Sequence, residues 1–522
     1  LEKLGIKTYI ERNPLKVIIL LALILRLTAA VFSKGYMMHD DHFLVVEAAQ
    51  SWADGGDYNN WLPWNQVNPA PEGHSFFYVG IHFLIFKTLN FAQINDPQNK
   101  MLVIRLLHAL FSMLTVWFAY KITRKISSEK NALSVALILA AAWFMPCFSV
   151  RNLVEVVATP LLIWSVWILT KNDQKKNLPY LFAGLLLGLA FSVRFQTAIF
   201  TGGVGLSLLF MKKFKGVIFV ALGTVISILA IQGLVDFFIW HRPFAELGAY
   251  IEYNWKNKNE YGTNNQLMYI SVITLIFTVP LGIMLLFGFF KTWKKQLLIF
   301  LPTFLFILFH NIFPNKQERF VFTMIPFFVI TGIAGWNEFV QNSKNKERWT
   351  KFSRVSMKIF WILNIPALIL FTTSYEKKAR TESMYYFYKK NPKFILSEDS
   401  NRESVSMLPF FYAGYQGFQY ILPQENRPDT ISSKYFKQGS KFVRVIYLPE
   451  YFKTISRDSL PEYVLFYDDK NLDKRVARLK TIFPNMKIET VIGTSLVDAM
   501  FQKMNPINKN FPFYIYKTNT TK

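Results

Sequence analysis

The chain predicts a mainly α, polytopic transmembrane helix bundle of about 11 spans, with surface helices in the first external loop and a small C-terminal α/β domain. Three observations carry that expectation. The 522 residues are 52% hydrophobic and only 18% charged, too apolar for an ordinary soluble chain of this length. Apolar runs near the ~20 residues that a helix needs to cross a bilayer recur through 1–374, most of them closed by Lys or Arg. From 375 to 522 the pattern changes to short strand-like runs around one helical stretch.

In order, the spans fall at about 15–33, 101–121, 131–148, 154–170, 178–193, 196–211, 215–238, 268–290, 296–310, 320–336 and 358–374. Basic residues precede the first run and no small-residue cleavage site follows it, so an uncleaved first helix is expected. In the loop 34–100, Phe43, Val46, Glu47, Ala49, Gln50 and Trp52 mark an amphipathic surface helix, and 75–90 a second, more apolar one. Gly55-Gly56 and the prolines Pro63, Pro69 and Pro71 separate them. A second long loop covers about 239–267. In the tail, KFVRVIYL, EYVLFY, MKIETVIG and FPFYIY read as strands and 471–483 as a helix, making an α/β domain.

A net charge of +25 would suggest nucleic acid in a soluble protein. Here the positive charge sits in alternate short turns, KITRK, KNDQKK, MKKFK and KTWKKQ, while 34–100 is acidic. Basic turns mark the cytoplasmic side, which puts the N-terminus inside and the long loops and tail outside, and leaves nucleic-acid binding without support. Cys147 is the only cysteine and lies within a predicted span, so no disulfide staples the external parts. That favours a bacterial inner membrane over the ER membrane.

Two polar clusters stand at the expected outer face. His39-Asp40-Asp41-His42 follows the first span. Paired carboxylates beside imidazoles suit a general base, because one carboxylate raises its neighbour's pKa. A helix N-cap by Asp40 or Asp41 is the plainer alternative. A metal site is disfavoured, since adjacent residues diverge around a helix. The second cluster runs from His310 through Lys316 to Arg319 and Phe320; its cations suit a lipid phosphate, or simply pair with Glu318. Arg105 and Asp236 lie near the external ends of apolar spans, where charge suggests function. For Arg26, snorkelling towards the interface is expected. Arg151, Glu155 and Arg194 occupy short external turns. Neither GxxxxGK[ST], Asp-x-Asp nor GxSxG occurs, so no metal and no cofactor is expected.

These pieces, in this order, resemble the multi-span α-mannosyltransferases of the GT-C fold that take mannose from a polyprenyl phosphate. The family's His-Pro-Asp-Glu element stands here as His39-Asp40-Asp41-His42, followed by Phe43 and Glu47, with Asp41 at the catalytic Asp. Its late His-Lys-Glu-x-Arg-Phe element stands as Asn315-Lys316-Gln317-Glu318-Arg319-Phe320. Between them, Asp236, Tyr253-Asn254 and Tyr261-Gly262-Thr263 match its middle loop, Arg151-Asn152 with Glu155 its Arg…Asn…Glu turn, and Arg194 its Arg-Pro-Thr turn.

The resemblance implies an inverting transfer of a hexose, mannose by analogy, from a polyprenyl-phosphate donor to an extracytoplasmic glycan or glycolipid hydroxyl. Asp41 would be the base, with Asp40, His39 and His42 orienting it. Lys316, Arg319, His310, Arg105 and Arg194 would hold the donor phosphate, and Glu47, Arg151, Glu155, Asp236, Tyr253, Asn254 and Tyr261 would line the acceptor pocket. The partners would be the lipid-linked sugar, the acceptor and membrane lipids. A protein O-glycosyltransferase of the same broad fold, a transporter or flippase with broken helices, and a non-catalytic scaffold are the alternatives.

Overall fold

The computed structural model describes residues 9–57, 60–71, 73–171, 176–260, 265–398, 407–414, 418–421, 442–445, 460–506 and 509–519. The chain divides into two compact units. One contains Leu1–Val31, Leu62–Tyr78 and Ile104–Thr373; the other contains Phe32–Trp61, Val79–Val103 and Ser374–Lys522. Most of the first loop thus groups with the tail, where a sequence boundary at 374/375 leaves it with the spans.

Helices dominate. They begin with α1 (Pro14–Phe32), a π-helical turn (Asp41–Glu47) leading into α2 (Ala48–Ala53), α3 (Phe76–Phe91), α4 (Pro97–Ile126), α5 (Glu129–Ala141) and α6 (Met145–Ser149). Then come α7 (Val154–Lys171), α8 (Asn177–Val193), α9 (Thr197–Phe210), and α10 (Phe214–Ile228), which passes through a second π-helical turn (Leu229–Gly233) into α11 (Leu234–Trp240). Next are α12 (Ala245–Lys256), α13 (Met268–Ile276), α14 (Val279–Lys291) and α15 (Leu297–Ile312). A 3-10 segment (Glu318–Met324) leads into α16 (Ile325–Asn342), and α17 (Lys346–Thr372) ends the apolar series. Among the described residues, six helical stretches are long and apolar enough to cross a membrane, and a bent pair makes a seventh if counted as one span. Shorter apolar helices α3, α8, α9 and α15 accompany them.

Each predicted span carries helix, but two are broken, and side chains explain both. The run expected at 131–148 stops at Ala141, where Ala142 turns extended. Asn364 of α17 takes over the freed backbone groups: its Nδ2 donates to Ala141 O at 2.7 Å and its Oδ1 accepts from Trp143 N at 2.7 Å. The run expected at 268–290 bends by 120° between α13 and α14. Pro280 has no N–H for the carbonyl four residues back, which is Ile276 O. Trp143 Nε1 donates to that carbonyl at 3.1 Å instead.

Elsewhere, close helix approach depends on glycine. A Cβ on Gly288 of α14 would lie 1.9 Å from Gly332 O of α16, and one on Gly335 would lie 2.0 Å from Gly288 O. Small residues are what bring helix backbones together where no hydrophobic force acts between them. Arg26 does not snorkel. It is fully buried, with Nε donating to Ser112 Oγ at 2.9 Å and a terminal nitrogen to Leu139 O at 3.1 Å, and so ties α1 to α4 and α5.

The second unit carries a six-stranded sheet: β1 (Ile395–Glu398), β2 (Phe418–Ile421), β3 (Phe442–Val445), β4 (Tyr463–Phe466), β5 (Lys487–Ile492) and β6 (Phe513–Lys517). Its order is β2-β3-β1-β4-β6-β5; the first four run parallel, and β6 is antiparallel to both β4 and β5. β1 is buried at all four positions, as a central parallel strand is, and lacks the alternation that reveals a strand in sequence. Around the sheet stand α18 (Lys378–Lys390), α19 (Leu472–Lys480) and α20 (Leu496–Met504). Leu396, Val464, Phe466, Val476, Leu479, Phe483 and Met486 form its core.

Candidate functional site

In the first unit the predicted cations gather on one acid. Glu155, at the start of α7, is fully buried. Its Oε1 lies 3.1 Å from Arg194 Nη2 and 3.4 Å from Arg319 Nε. Arg194 also donates to Gln196 Oε1, and Arg319 Nε donates to Gln317 Oε1 at 2.8 Å. Both guanidiniums lie over the Phe320 ring, at 5.1 and 5.8 Å. Two guanidiniums against one carboxylate leave a net single positive charge in a largely dehydrated place. Such a centre matches the single negative charge of a phosphodiester.

The turn after α15 is fixed by Tyr269, whose hydroxyl lies 3.1 Å from both Gln317 O and Gln317 N. Beside it His310 Nδ1 donates to Phe306 O at 2.8 Å, since a carbonyl can only accept. Its Nε2, buried and without a partner among the described residues, is therefore the acceptor nitrogen. Lys316 is 5% exposed, donates to Phe313 O at 2.6 Å, and is held below the usual lysine pKa by burial.

A second buried group in this unit was not foreseen whole. Gln232, in the second π-helical turn, donates to Asp236 Oδ1 at 2.9 Å and to Glu246 Oε2 at 2.8 Å. Glu246 accepts as well from Trp240 Nε1 at 3.1 Å and Phe76 N at 2.9 Å. Burial first, and then the Asp236 carboxylate, raise the Glu246 pKa well above the usual range. This pair fastens α12 by its first turn. One helical turn on, the Tyr250 hydroxyl is raised by burial and lowered in part by Arg194 and a hydrogen bond from Gln196, which sets it beside the arginine cluster.

In the second unit, Asp41 opens the π-helical turn and is 6% exposed. Asp40 is exposed and makes no capping hydrogen bond, so the N-cap reading does not hold for it. A π turn brings residues five apart face to face. His42 Nε2 accordingly lies 3.4 Å from Glu47 Oε1. The His42 ring is stacked between Tyr36, at 4.5 Å, and Tyr412, at 5.6 Å, while Glu47 Oε1 accepts from Phe411 N at 3.1 Å.

His39 meets residues of the tail. Its Nε2 is 3.4 Å from a terminal nitrogen of Arg380. Burial, then the charges of Arg380 and Lys377, lower its pKa to about 4, leaving a neutral imidazole at neutral pH. Lys377 itself is lowered to about 8 by burial and Arg380. Asp498 of α20 positions both cations by accepting from Lys377 N and Lys378 N, each at 2.9 Å, where α18 begins. Gly35, at φ +78°, lets Glu376 approach this segment; a Cβ there would meet Glu376 O at 1.8 Å.

Of the sequence candidates, Glu155, Arg194 and Arg319 converge in one unit, and His42 and Glu47 in the other. Arg105 donates to Ala30 O at 2.7 Å, tying α4 to α1. Arg151 is buried near the same turn as Asn152, which accepts from Tyr78 OH at 2.7 Å. Asp236 serves the Glu246 pair. Tyr253 is half exposed, and Asn254 bonds back to Tyr250 O of its own helix at 2.8 Å. Tyr261 lies outside the described residues. Sequence reasoning missed Glu246, Gln232, Tyr250, Arg380 and Lys377. Glu246 and Tyr250 stand four apart, a helical spacing that offered a signal; Arg380 offered none.

Among the described residues, no three His, Cys, Asp or Glu side chains group as metal ligands. The fold matches that of ArnT from Cupriavidus metallidurans, solved bound to undecaprenyl phosphate: TM-score 0.62 at 11% identity, over 98% of this chain and 99% of that one. The apo form of ArnT matches at TM-score 0.59 and 10% identity, over 97% and 98% of the two chains. A Drosophila melanogaster protein, Dol-P-Man:Man(7)GlcNAc(2)-PP-Dol alpha-1,6-mannosyltransferase, is 25% identical over 341 residues, 63% of this chain. That match spans just under half of the relative, 47% of its length. The sequence model of the Alg9-like mannosyltransferase family matches residues 17–406, three quarters of the chain and the whole apolar bundle. With the spans, the arginine cluster and the first-loop motif in the expected order, this membrane protein belongs to the Alg9-like mannosyltransferase family.

Proposed function

We propose that the protein is an inverting glycosyltransferase that moves a hexose, mannose by family, from a polyprenyl-phosphate donor to a glycan or glycolipid hydroxyl. The observation that carries this reading is the Glu155–Arg194–Arg319 cluster, whose net charge complements the donor's phosphodiester. As the sugar leaves, negative charge grows on the lipid phosphate, and fixed guanidiniums stabilise it without reorganising. Lys316 and His310 stand in the same turn region and are assigned supporting contacts to that phosphate. Asp41 is assigned the acceptor's proton, with neutral His39 unable to compete for its charge. Basic side chains supply the neutralisation in this scheme, so it uses no cofactor and no metal.

The orientation proposed is N-terminus cytoplasmic, with the long loops and tail outside, because the strongly basic short turns fall on one side of the spans and the acidic loop 34–100 on the other. A bacterial inner membrane is the proposed setting. The transport alternative calls for broken helices, and the α13–α14 bend is one. Its surroundings are mainly aromatic, Phe144, Phe277 and Phe360 with ring centroids 5.8 and 6.2 Å apart, and the Thr278 hydroxyl is the polar side chain at the bend itself.

Purified protein given labelled polyprenyl-phosphate mannose and membrane glycolipids should form a covalent mannosylated product. Asp41→Asn should lower turnover at least about a hundredfold, the usual contribution of a general base, while the protein stays folded. Undiminished transfer by Asp41→Asn removes Asp41 from that role, and counterflow without product overturns the transferase reading.

A further inference from the structure

Within the second unit lies a cavity of about 340 Å³ that the reaction scheme leaves unused. That volume is at the small end of ligand pockets. Its polar side is a closed ring of hydrogen bonds. Lys100 Nζ donates to Gln50 Oε1 at 3.0 Å and to Asn90 Oδ1 at 2.6 Å. Gln50 Nε2 donates to Asp54 Oδ1 at 2.7 Å, and Asn90 Nδ2 to the same oxygen at 3.3 Å. Each member holds the others in place. Lys100 and Gln50 are 5% and 6% exposed, Asn90 is partly buried and Asp54 is exposed, so the ring is anchored in the protein on its lysine side and opens to solvent at its carboxylate.

The ring keeps capacity in hand. An ammonium has three donors and these bonds occupy two; each amide has a second N–H, and Asp54 has a second oxygen. The opposite walls are aromatic, Tyr388 and Phe411. Tyr388 stacks on Tyr385 at 5.8 Å, whose hydroxyl donates to Asp96 Oδ2 at 2.7 Å, and Phe411 packs on Phe86 at 5.4 Å. Gly414, at φ +69°, makes room, since a Cβ there would meet the Tyr388 ring at 2.4 Å.

The charges of Lys100 and Asp54 cancel, so the pocket does not select an anion. Planar amides, one carboxylate and one ammonium facing aromatic rings match a hexopyranose, whose hydroxyls pair with the former and whose C–H face lies on the latter. We infer that this cavity binds one hexose of the acceptor glycan. The placement supports acceptor over donor: the Phe411 wall is also the neighbour of the first-loop motif, with His42 edge-on at 6.3 Å and Glu47 accepting from Phe411 N. The assignment to the acceptor rests on the transferase reading; the sugar chemistry does not.

The test separates the two. Full-length protein in lipid nanodiscs, with no donor present, is titrated with a mannose trisaccharide and followed by saturation-transfer NMR. The wild type should bind, and Lys100→Met should weaken binding about tenfold or more. Asn95→Trp, placed at an exposed position of the lining, should block the cavity with the same effect even if Lys100→Met fails to fold. No binding by the wild type, or equal binding by Asn95→Trp, overturns the site. In the transfer assay, Asn95→Trp should raise KM for the glycan about tenfold and leave KM for the lipid donor unchanged; the reverse pattern overturns the acceptor assignment. Sugar binding that survives in a protein incapable of transfer supports the pocket and removes the transferase reading.

Discussion

Glu155 holds two arginines at full burial, and its loss would leave two dehydrated cations facing each other. Removing one partner of a buried ion pair costs about 3–5 kcal/mol. Glu155→Gln should therefore lower the thermal midpoint in detergent, and added polyprenyl phosphate should raise it more for the variant than for the wild type. An unchanged midpoint would mean that the carboxylate does not neutralise the pair. At this scale the sequence was legible in parts. Arg194, Arg319 and Glu155 were named from short turns because charge beside apolar runs is conspicuous. The His42–Glu47 contact was not legible, because five-residue spacing is face to face only in a π turn, and no composition signal marks one. Arg380 was out of reach for another reason: it joins His39 across more than three hundred positions of sequence.

Among elements, α12 shows how a loop helix is held. Its inward face carries Glu246 and Tyr250, whereas the family pattern drew attention to Tyr253 and Asn254, which turn outward or back on the helix. The tether responds to pH. Glu246 has a folded pKa raised above its unfolded value of 4.5, so its contribution is complete below about that value and is lost as pH rises through the folded pKa. Ionisation then sets a second charge against Asp236. Thermal stability should fall as pH rises above about 4.5 and level off above the folded pKa in the wild type, and fall less in Glu246→Gln; parallel pH profiles would sink this account. Seven of the eleven expected spans answer, among the described residues, to stretches long and apolar enough to cross a membrane, the bent pair counted as one; the runs at 131–148, 178–193, 196–211 and 296–310 form shorter helices. The breaks were not legible, because Asn364 and Trp143 act from far along the chain. β1, four residues long and buried at every position, was not named from sequence; β4 is buried throughout as well but stands in the longer aromatic and β-branched run EYVLFY, and β6 keeps its alternation.

For the molecule as a whole, composition and the order of motifs reached the right family before any geometry was known. What they could not reach was the grouping of 32–61 and 79–103 with the tail, since nothing in a loop's own composition says which unit will receive it. The tail is therefore no appendage to the first-loop motif: Tyr412, Phe411 and Arg380 surround His39, His42 and Glu47. Truncation before residue 375 should expose that motif and abolish transfer even with every span retained, as a product assay on the truncated protein would register.

The bend between α13 and α14 carries a consequence for biogenesis. By hydropathy the two form a single stretch fit to enter the translocon as one straight segment, yet a straight helix strands the Ile276 carbonyl opposite Pro280 in lipid. The indole of Trp143, supplied by an earlier part of the chain, answers it. A stretch inserted as one straight segment would have to bend afterwards, and this corner would then be a late step of assembly. Trp143→Phe keeps the ring and deletes the donor; amides around Thr278 should then exchange faster with deuterium in detergent, and exchange at the wild-type rate would show that maturation does not wait for the indole.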